Sequence, residues 1–276
     1  MPKILTKDNI HIYYEFVNKK HYPAKPVLVF IHGWVMNWTF FKDEILFFKK
    51  KGYPVLYLDL RGHGKSDKPE KLEDYDIKLM VEDVAQILRK ENVKNCVLIG
   101  HSMGGMISIL FAVKNPGLTD KIILVDSSYK NPLFSYKFSY FRKLMPIKFT
   151  KLLIKFIVEH TKIRHHFSHL KELDLSKYNS KPDISIFLDG LKDTSLHACF
   201  AVLEEMFNFD ASKQIAALKA PVLLIASDHD QFFSLRDAKD MRKKIPNSKL
   251  LIEHGTHAVI VRKPEEISER MREFIS

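Results

Sequence analysis

The chain has few of the residues that define specialised folds. Only two of its 276 residues are cysteine, and Cys96 and Cys199 lie far apart, which excludes a disulfide scaffold. Ten glycines and twelve prolines are too few for a collagen-like or low-complexity chain. An apolar content of 46% excludes intrinsic disorder. We therefore expect a globular protein whose two thiols are buried and reduced.

Long hydrophobic runs and nucleotide-binding loops are also missing. No segment reaches the roughly 18 apolar residues of a membrane helix. Residues 1–16 lack the apolar stretch of a signal peptide. No G-x-G-x-x-G or P-loop motif is present, so we expect no cofactor. The expected location is the cytoplasm.

Acidic residues are outnumbered by basic ones. The chain has 33 Asp and Glu residues and 44 Lys and Arg residues, which gives a net charge of +11. Most of the excess lies in one segment, residues 129–165, where nine cationic side chains accompany one acidic side chain. Eight aromatic residues are interleaved with them. No nucleic-acid-reading fold accompanies this segment, and we expect no nucleic-acid partner.

Strand-like apolar runs and amphipathic helical patterns alternate along most of the chain. This rhythm predicts an α/β fold with a mostly parallel sheet flanked by helices. From residue 129 to residue 212 the pattern is helical, with no good strand. The expected organisation is a core of residues 1–128 and 213–276 that carries an inserted helical cap, or lid, of residues 129–212.

The strongest local motif is GHSMGG at residues 100–105, between an apolar strand and a helix. This is the G-x-S-x-G nucleophile elbow in the context that the motif requires. The tight turn holds the Ser102 hydroxyl clear of the sheet at a helix N-terminus, where developing negative charge is favoured. Ser102 is therefore the candidate nucleophile.

A serine hydroxyl needs a general base, and the base needs a carboxylate that orients it. His257 follows the last predicted strand, and the SDHD segment at residues 227–230 follows the strand before it. The chain order Ser, Asp, His is the order that the elbow fold uses.

These motifs, with HGW at residues 32–34 and DLRGHGKS at residues 59–66, resemble those of α/β-hydrolase-fold enzymes over the whole predicted core. The best likeness is to lidded serine esterases, including monoacylglycerol-lipase-like and cofactor-free haloperoxidase-like or perhydrolase-like members. The resemblance implies an eight-stranded, mostly parallel sheet with an inserted helical lid.

The resemblance assigns the triad to Ser102, Asp230 and His257. The sequence departs from the common pattern at Ser227 and Gln231, so Asp228 stays an alternative acid. Some relatives place the acid after the preceding strand, which would make it Asp126.

Two backbone amides are expected to form the oxyanion hole, which binds the negative oxygen of the tetrahedral intermediate. The amide of Met103 follows the nucleophile, and the resemblance adds the amide of Trp34. The pocket candidates are the side chains of Trp34, His101, Phe134 and Phe138. The position of His101 beside Ser102 also favours a scaffolding role.

The remaining histidines carry no predicted chemistry. His32 and His63 are expected to be structural. His165, His166 and His169 have the spacing of a shared helix face, but no neighbouring cysteine or spaced carboxylate completes a metal site. We therefore expect no metal.

The cap contains a predicted helix at residues 147–162 with lysines on one face and apolar residues on another. Such a helix can cover the pocket with its apolar side, or it can dock on an anionic lipid surface. Either arrangement gives the pocket an apolar wall. The expected substrate is therefore a small-molecule ester with a short to medium hydrophobic acyl or alcohol part.

The predicted activity is carboxylic-ester hydrolysis through an acyl-enzyme. The same triad also serves C–C bond hydrolases, hydroxynitrile lyases, thioesterases, acyltransferases and perhydrolases, and a non-catalytic binding protein is a further alternative. Epoxide hydrolases and haloalkane dehalogenases of this fold use a carboxylate at the elbow, so Ser102 argues against them. The sequence does not indicate an oligomeric state.

Overall fold

A computed structural model describes residues 3–131 and 183–276. Eight strands form one sheet in the order β1-β2-β4-β3-β5-β6-β7-β8. The first two strands pair antiparallel with each other, and β2 pairs antiparallel with β4; every later pairing is parallel. The strand bounds are β1 Lys3–Leu5, β2 His11–Val17, β3 Val27–Ile31, β4 Val55–Leu58, β5 Cys96–His101, β6 Thr119–Val125, β7 Val222–Ser227 and β8 Ser248–Glu253. The predicted eight-stranded, mostly parallel sheet is confirmed.

Helices cover both faces of this sheet, which explains the continuous apolar runs in the central strands. All residues of β3, β4, β5 and β7 are buried. On one face the core includes residues from α2 and α3, and on the other face it includes residues from α1 and α8. The helix bounds are α1 Lys42–Lys50, α2 Ile77–Lys90, α3 Met103–Lys114, α4 Asp183–Leu191, α5 Leu196–Asn208, α6 Leu235–Lys244, α7 Val259–Arg262 and α8 Pro264–Ile275.

Local signals set several of these helix boundaries. The Asp76 carboxylate accepts the Lys78 amide at 2.7 Å and caps α2. Pro264 opens α8, and Glu265 and Glu266 lie in its first turn. Both cysteines are buried and unpaired, as expected.

The predicted cap lies between β6 and β7, and the structure describes part of it. Helices α4 and α5 belong to this segment, and a single β-bridge joins Lys130 to Asp210 at its two ends. Residues 132–182 lie outside the described residues; they include Phe134, Phe138, the three histidines 165, 166 and 169 and the predicted helix 147–162. The division into core and cap therefore stays a prediction. Among the described helices, none is long and apolar enough to span a membrane.

Candidate active site

Ser102 stands at the turn between β5 and α3 in a strained backbone conformation. Its φ is 53° and its ψ is −120°, a combination that non-glycine residues rarely adopt. The neighbouring glycines make this turn possible. A Cβ on Gly100 would lie 2.4 Å from the carbonyl oxygen of Gly104, and a Cβ on Gly104 would lie 2.0 Å from that of Ile31.

Hydrogen bonds to the next strand hold the strained turn in place. The Ser102 amide donates to the carbonyl of Val125 at 3.0 Å, at the end of β6. The Ser102 carbonyl accepts the Ser127 hydroxyl at 2.7 Å and the Gly105 amide at 3.0 Å. These hydrogen bonds fix the backbone of the candidate nucleophile, and none of them uses the side-chain hydroxyl of Ser102.

His257 and Asp230 form a buried pair at the ends of β8 and β7. The Nδ1 of His257 donates to Oδ2 of Asp230 at 2.8 Å. The other carboxylate oxygen accepts the amides of Phe232 and Phe233 at 2.7 and 3.1 Å. With both oxygens bonded, the carboxylate has one orientation, and it leaves Nε2 as the ring nitrogen that can take a proton.

Aromatic contacts fix the plane of the His257 ring. Its centroid lies 4.7 Å from that of His101 and 4.8 Å from that of Phe232. The His101 Nε2 also donates to the His257 carbonyl at 2.9 Å. Between the two described side chains of Ser102 and His257 there is no hydrogen bond, and such contacts are often long until substrate binds.

Burial and charge act in opposite directions on the His257 pKa. Burial lowers it, but the charge and hydrogen bond of Asp230 outweigh burial, and the more distant Asp126 and Asp183 act in the same direction. The net effect raises the pKa above its ordinary value of 6.5. The environment therefore stabilises the imidazolium that a general base forms during the reaction.

The two alternative acids have other partners. Asp228 is exposed and accepts hydrogen bonds from His229, His254 and the Gly255 amide. Asp126 is buried and accepts both the amide and the hydroxyl of Ser227, at 2.7 and 2.8 Å. Burial, and then the nearby Asp230 charge, raise the Asp126 pKa well above its ordinary value. Of the three candidates, Asp230 is the one hydrogen-bonded to His257.

The two candidate oxyanion amides flank the nucleophile. A Cβ on Gly33 would lie 3.2 Å from the Ser102 Cβ, so the loop after β3 contacts the elbow directly. Among the described residues, neither the Trp34 amide nor the Met103 amide has a hydrogen-bond partner. Val35 has a φ of 56°, which is unusual for a β-branched residue and shows that this loop is strained.

The half-buried Trp34 side chain contacts helices α4 and α5. Its Nε1 donates to the Cys199 carbonyl at 2.8 Å, and its ring centroid lies 5.3 Å from that of Phe187. Trp34 therefore joins the β3 loop to helices α4 and α5. His101, the other described pocket candidate, is fully buried, and its contacts are those of a support for the His257 loop.

His32 and His63 have the contacts expected of structural residues. His32 Nε2 accepts the Leu60 amide at 2.9 Å while Nδ1 donates to the Gly33 carbonyl. His63 accepts the Val35 amide at 3.3 Å and donates to the Arg61 carbonyl at 2.9 Å. Burial lowers the pKa of His32 to about 3 and that of His63 to about 4, so both are neutral.

Sequence reasoning assigned no structural role to three residues near the site, Asp183, Gly190 and Ser227. Asp183 accepts hydrogen bonds from Thr256 at 3.0 Å and Arg262 at 2.6 Å, and so joins α4 to the loop that carries His257. A Cβ on Gly190 would lie 1.9 Å from the Val35 carbonyl oxygen. Ser227 appears in the sequence only as a departure from a pattern. No local motif marks these contacts, because each joins segments far apart in sequence.

Comparison with known proteins identifies the family of the chain. A family model described as the alpha/beta hydrolase fold matches residues 26–264. The AB hydrolase superfamily protein YisY of Bacillus subtilis is 26% identical over an alignment of length 280, which covers 98% of this chain and 97% of that protein. Epoxide hydrolase 3 of Xenopus tropicalis is 25% identical over an alignment of length 276, which covers 92% of this chain and 74% of that protein.

Among solved structures, one from a study of carboxylesterases of the thaumarchaeon Nitrososphaera gargenis superposes with a TM-score of 0.73 at 24% identity. The match covers 99% of this chain and 97% of that one. The chain belongs to the α/β-hydrolase-fold family, as the resemblance implied. It is a hydrolase of this fold.

Proposed function

We propose that this chain is a serine carboxylesterase that cleaves small-molecule esters with a hydrophobic acyl or alcohol part. The observation that carries the proposal is the buried 2.8 Å contact between His257 Nδ1 and Asp230 Oδ2, beside a serine on a strained strand-to-helix turn. A binding protein needs neither a strained serine nor a base with a fixed tautomer. The combination is typical of nucleophilic acyl transfer.

In the proposed reaction, Ser102 Oγ attacks the ester carbonyl while His257 Nε2 takes its proton. The Trp34 and Met103 amides donate to the tetrahedral oxygen, and the positive end of α3 adds to this stabilisation. His257 then gives the proton to the leaving alkoxide, and the acyl group stays on Ser102. A water molecule, deprotonated by the same histidine, releases the acid and restores the serine.

The Xenopus relative is named as an epoxide hydrolase. The serine at the elbow of this chain argues against that activity here. A carboxylate that opens an epoxide forms an ester, which water can hydrolyse. Ser102 would form an alkyl ether, which the same triad cannot cleave. The elbow residue therefore favours acyl substrates over epoxides.

The decisive experiment is covalent labelling by a fluorophosphonate, read by intact-protein mass. The expected result is one adduct on the wild-type protein and none on Ser102→Ala. Ser128→Ala is the matched control, since Ser128 is also buried after the neighbouring strand but belongs to no triad, and it should label fully. An unlabelled wild type, or a labelled Ser102→Ala protein, would refute the assignment.

A substrate panel then tests the rest of the proposal. p-Nitrophenyl esters of increasing acyl length should show a preference for short to medium apolar acyl groups, and styrene oxide should not be turned over. A preference for charged acyl groups would contradict the apolar pocket. That pocket is inferred from the sequence pattern of the proposed cap.

A further inference from the structure

A second cluster of chemically active side chains lies on the surface next to the proposed triad. It consists of Asp228, His229 and His254, which we call the surface cluster. Asp228 Oδ1 lies 2.6 Å from His229 Nδ1, and Oδ2 lies 2.9 Å from His254 Nδ1. The two imidazole centroids are 5.0 Å apart. The proposed ester hydrolysis uses none of these three residues.

Backbone hydrogen bonds hold the cluster together from two separate loops. The Asp228 amide donates to the Glu253 carbonyl at 3.0 Å, and the His229 amide donates to the Gly255 carbonyl at 2.9 Å. The Gly255 amide donates back to Asp228 Oδ1 at 3.0 Å. The ligand atoms therefore come together through the main chain, although Asp228 and His254 are 26 residues apart.

The charge state of the cluster suits a cation. Asp228 is exposed, and its two carboxylate oxygens accept hydrogen bonds from the two imidazoles and from the Gly255 amide. Both imidazole rings are exposed, by 65% for the His229 side chain and 80% for that of His254, and can turn to meet an ion.

We propose that Asp228, His229 and His254 form a binding site for a divalent transition-metal ion of the Zn²⁺ class. Two imidazole nitrogens and one carboxylate oxygen are a ligand set that zinc uses, with water in the fourth position. One ligand atom from each residue already lies within 4.8 Å of the others. Ligand atoms around tetrahedral zinc are about 3.3 Å apart, so small side-chain rotations complete the site.

Metal binding at the surface cluster would affect the two loops that carry the proposed acid and base. Asp228 is on the loop that carries Asp230, and His254 is on the loop that carries His257. A bound ion would join these two loops by coordinate bonds in place of the present hydrogen bonds. It would stabilise the folded state in proportion to its affinity, because the unfolded chain does not hold the ligands together.

The test is calorimetric titration of chelator-treated full-length protein with zinc chloride alone. We expect wild-type protein to bind at this site, and the variants His229→Gln and His254→Gln to lose at least about tenfold in affinity each. His11→Gln is the matched control, since His11 also pairs with a carboxylate, Asp67, at 2.9 Å, and should bind as wild type does. The thermal midpoint should rise with zinc in wild type and in His11→Gln, and should not respond in the double variant His229→Gln/His254→Gln.

Two outcomes would overturn the proposal. One is the absence of zinc binding by the wild-type protein. The other is unchanged affinity in the double variant, which would place the ion at other histidines, such as His165 and His169 or His257. Because binding and melting are measured without substrate, neither result depends on the proposed esterase activity.

Discussion

The buried histidines at the carboxyl edge of the sheet occur in two environments with opposite effects. In the loops after β3 and β4, His32 and His63 exchange hydrogen bonds with main-chain groups, and burial lowers their pKa values. In the loop after β8, His257 is also buried, but its partner is a carboxylate, and its pKa is raised. Burial alone produces a neutral structural histidine, whereas a buried carboxylate produces a base that can hold a proton.

The largest expected effect on activity comes from removing the charge of the Asp230 carboxylate. Asp230→Asn should lower kcat about 10³- to 10⁴-fold, because His257 loses the partner that fixes its tautomer and stabilises its protonated form. The measurement is steady-state hydrolysis of a p-nitrophenyl ester. Asp126→Asn is the control for a nearby buried carboxylate, and its loss should be much smaller. A larger loss for Asp126→Asn would transfer the acid role to Asp126.

The second prediction concerns His63, a buried histidine whose hydrogen-bond partners are main-chain groups. His63→Gln should lower the free energy of unfolding at pH 7 by about 1–3 kcal/mol, because the buried partners of His63 lose its well-placed hydrogen bonds. The kcat/KM of the folded variant should stay close to wild type. Urea denaturation monitored by fluorescence gives the stability, and active-site titration corrects the kinetics. A loss of activity without a loss of stability would contradict the structural assignment.

The effect of His63→Gln on stability should also depend on pH. The pKa of His63 is lowered to about 4 in the folded state, against about 6.5 when unfolded. The stability that neutral His63 contributes is therefore present above about pH 6.5 and is lost as pH falls toward 4. The stability difference between wild type and His63→Gln should shrink by up to about 1.4 kcal/mol per pH unit in that window. A difference that is constant with pH would contradict the neutral buried state.

The smallest expected effect tests the longer-range charge on His257. Asp183 raises the His257 pKa from the N-terminal turn of α4, so Asp183→Asn should lower it. Because the base must be neutral, the acidic limb of kcat/KM should move to lower pH, by less than about one unit. Asp189→Asn, on the same helix and paired with Lys192, is the control and should leave the limb in place. A limb that moves equally in both variants, or in neither, would contradict the assignment.

The parts of the fold that depend on local pattern could be predicted from sequence. The apolar runs that became β3, β5 and β7 indicate burial directly, because a strand covered on both faces is apolar at every position. The buried residues of α2 recur at the spacing of one helix face, which a sequence also shows. The elbow could also be predicted, since its glycines and serine are adjacent in sequence. The chain order Ser, Asp, His then limited the candidates for the acid of the triad to a few residues.

What the sequence could not supply are contacts that only the folded chain creates. The resemblance favours Asp230, but the sequence leaves Asp228 open, because the distinction depends on which carboxylate is hydrogen-bonded to His257 in the folded chain. The link from Asp183 to Thr256 and the bond from Trp34 to the Cys199 carbonyl join segments that share no pattern. The surface cluster is of the same kind, because its histidines belong to two loops.

The close contact between Gly190 and the Val35 carbonyl has a consequence for engineering. One way to engineer the substrate range would be to exchange the proposed cap, residues 129–212, for that of a relative. In this protein such an exchange would also replace a residue whose missing side chain leaves room for the strained loop next to the nucleophile. A donor segment with alanine at this position would displace that loop, and the chimera would lose turnover on every substrate instead of acquiring a new preference. Grafts designed for this scaffold should therefore retain residues 190–199 and vary the segment that precedes them.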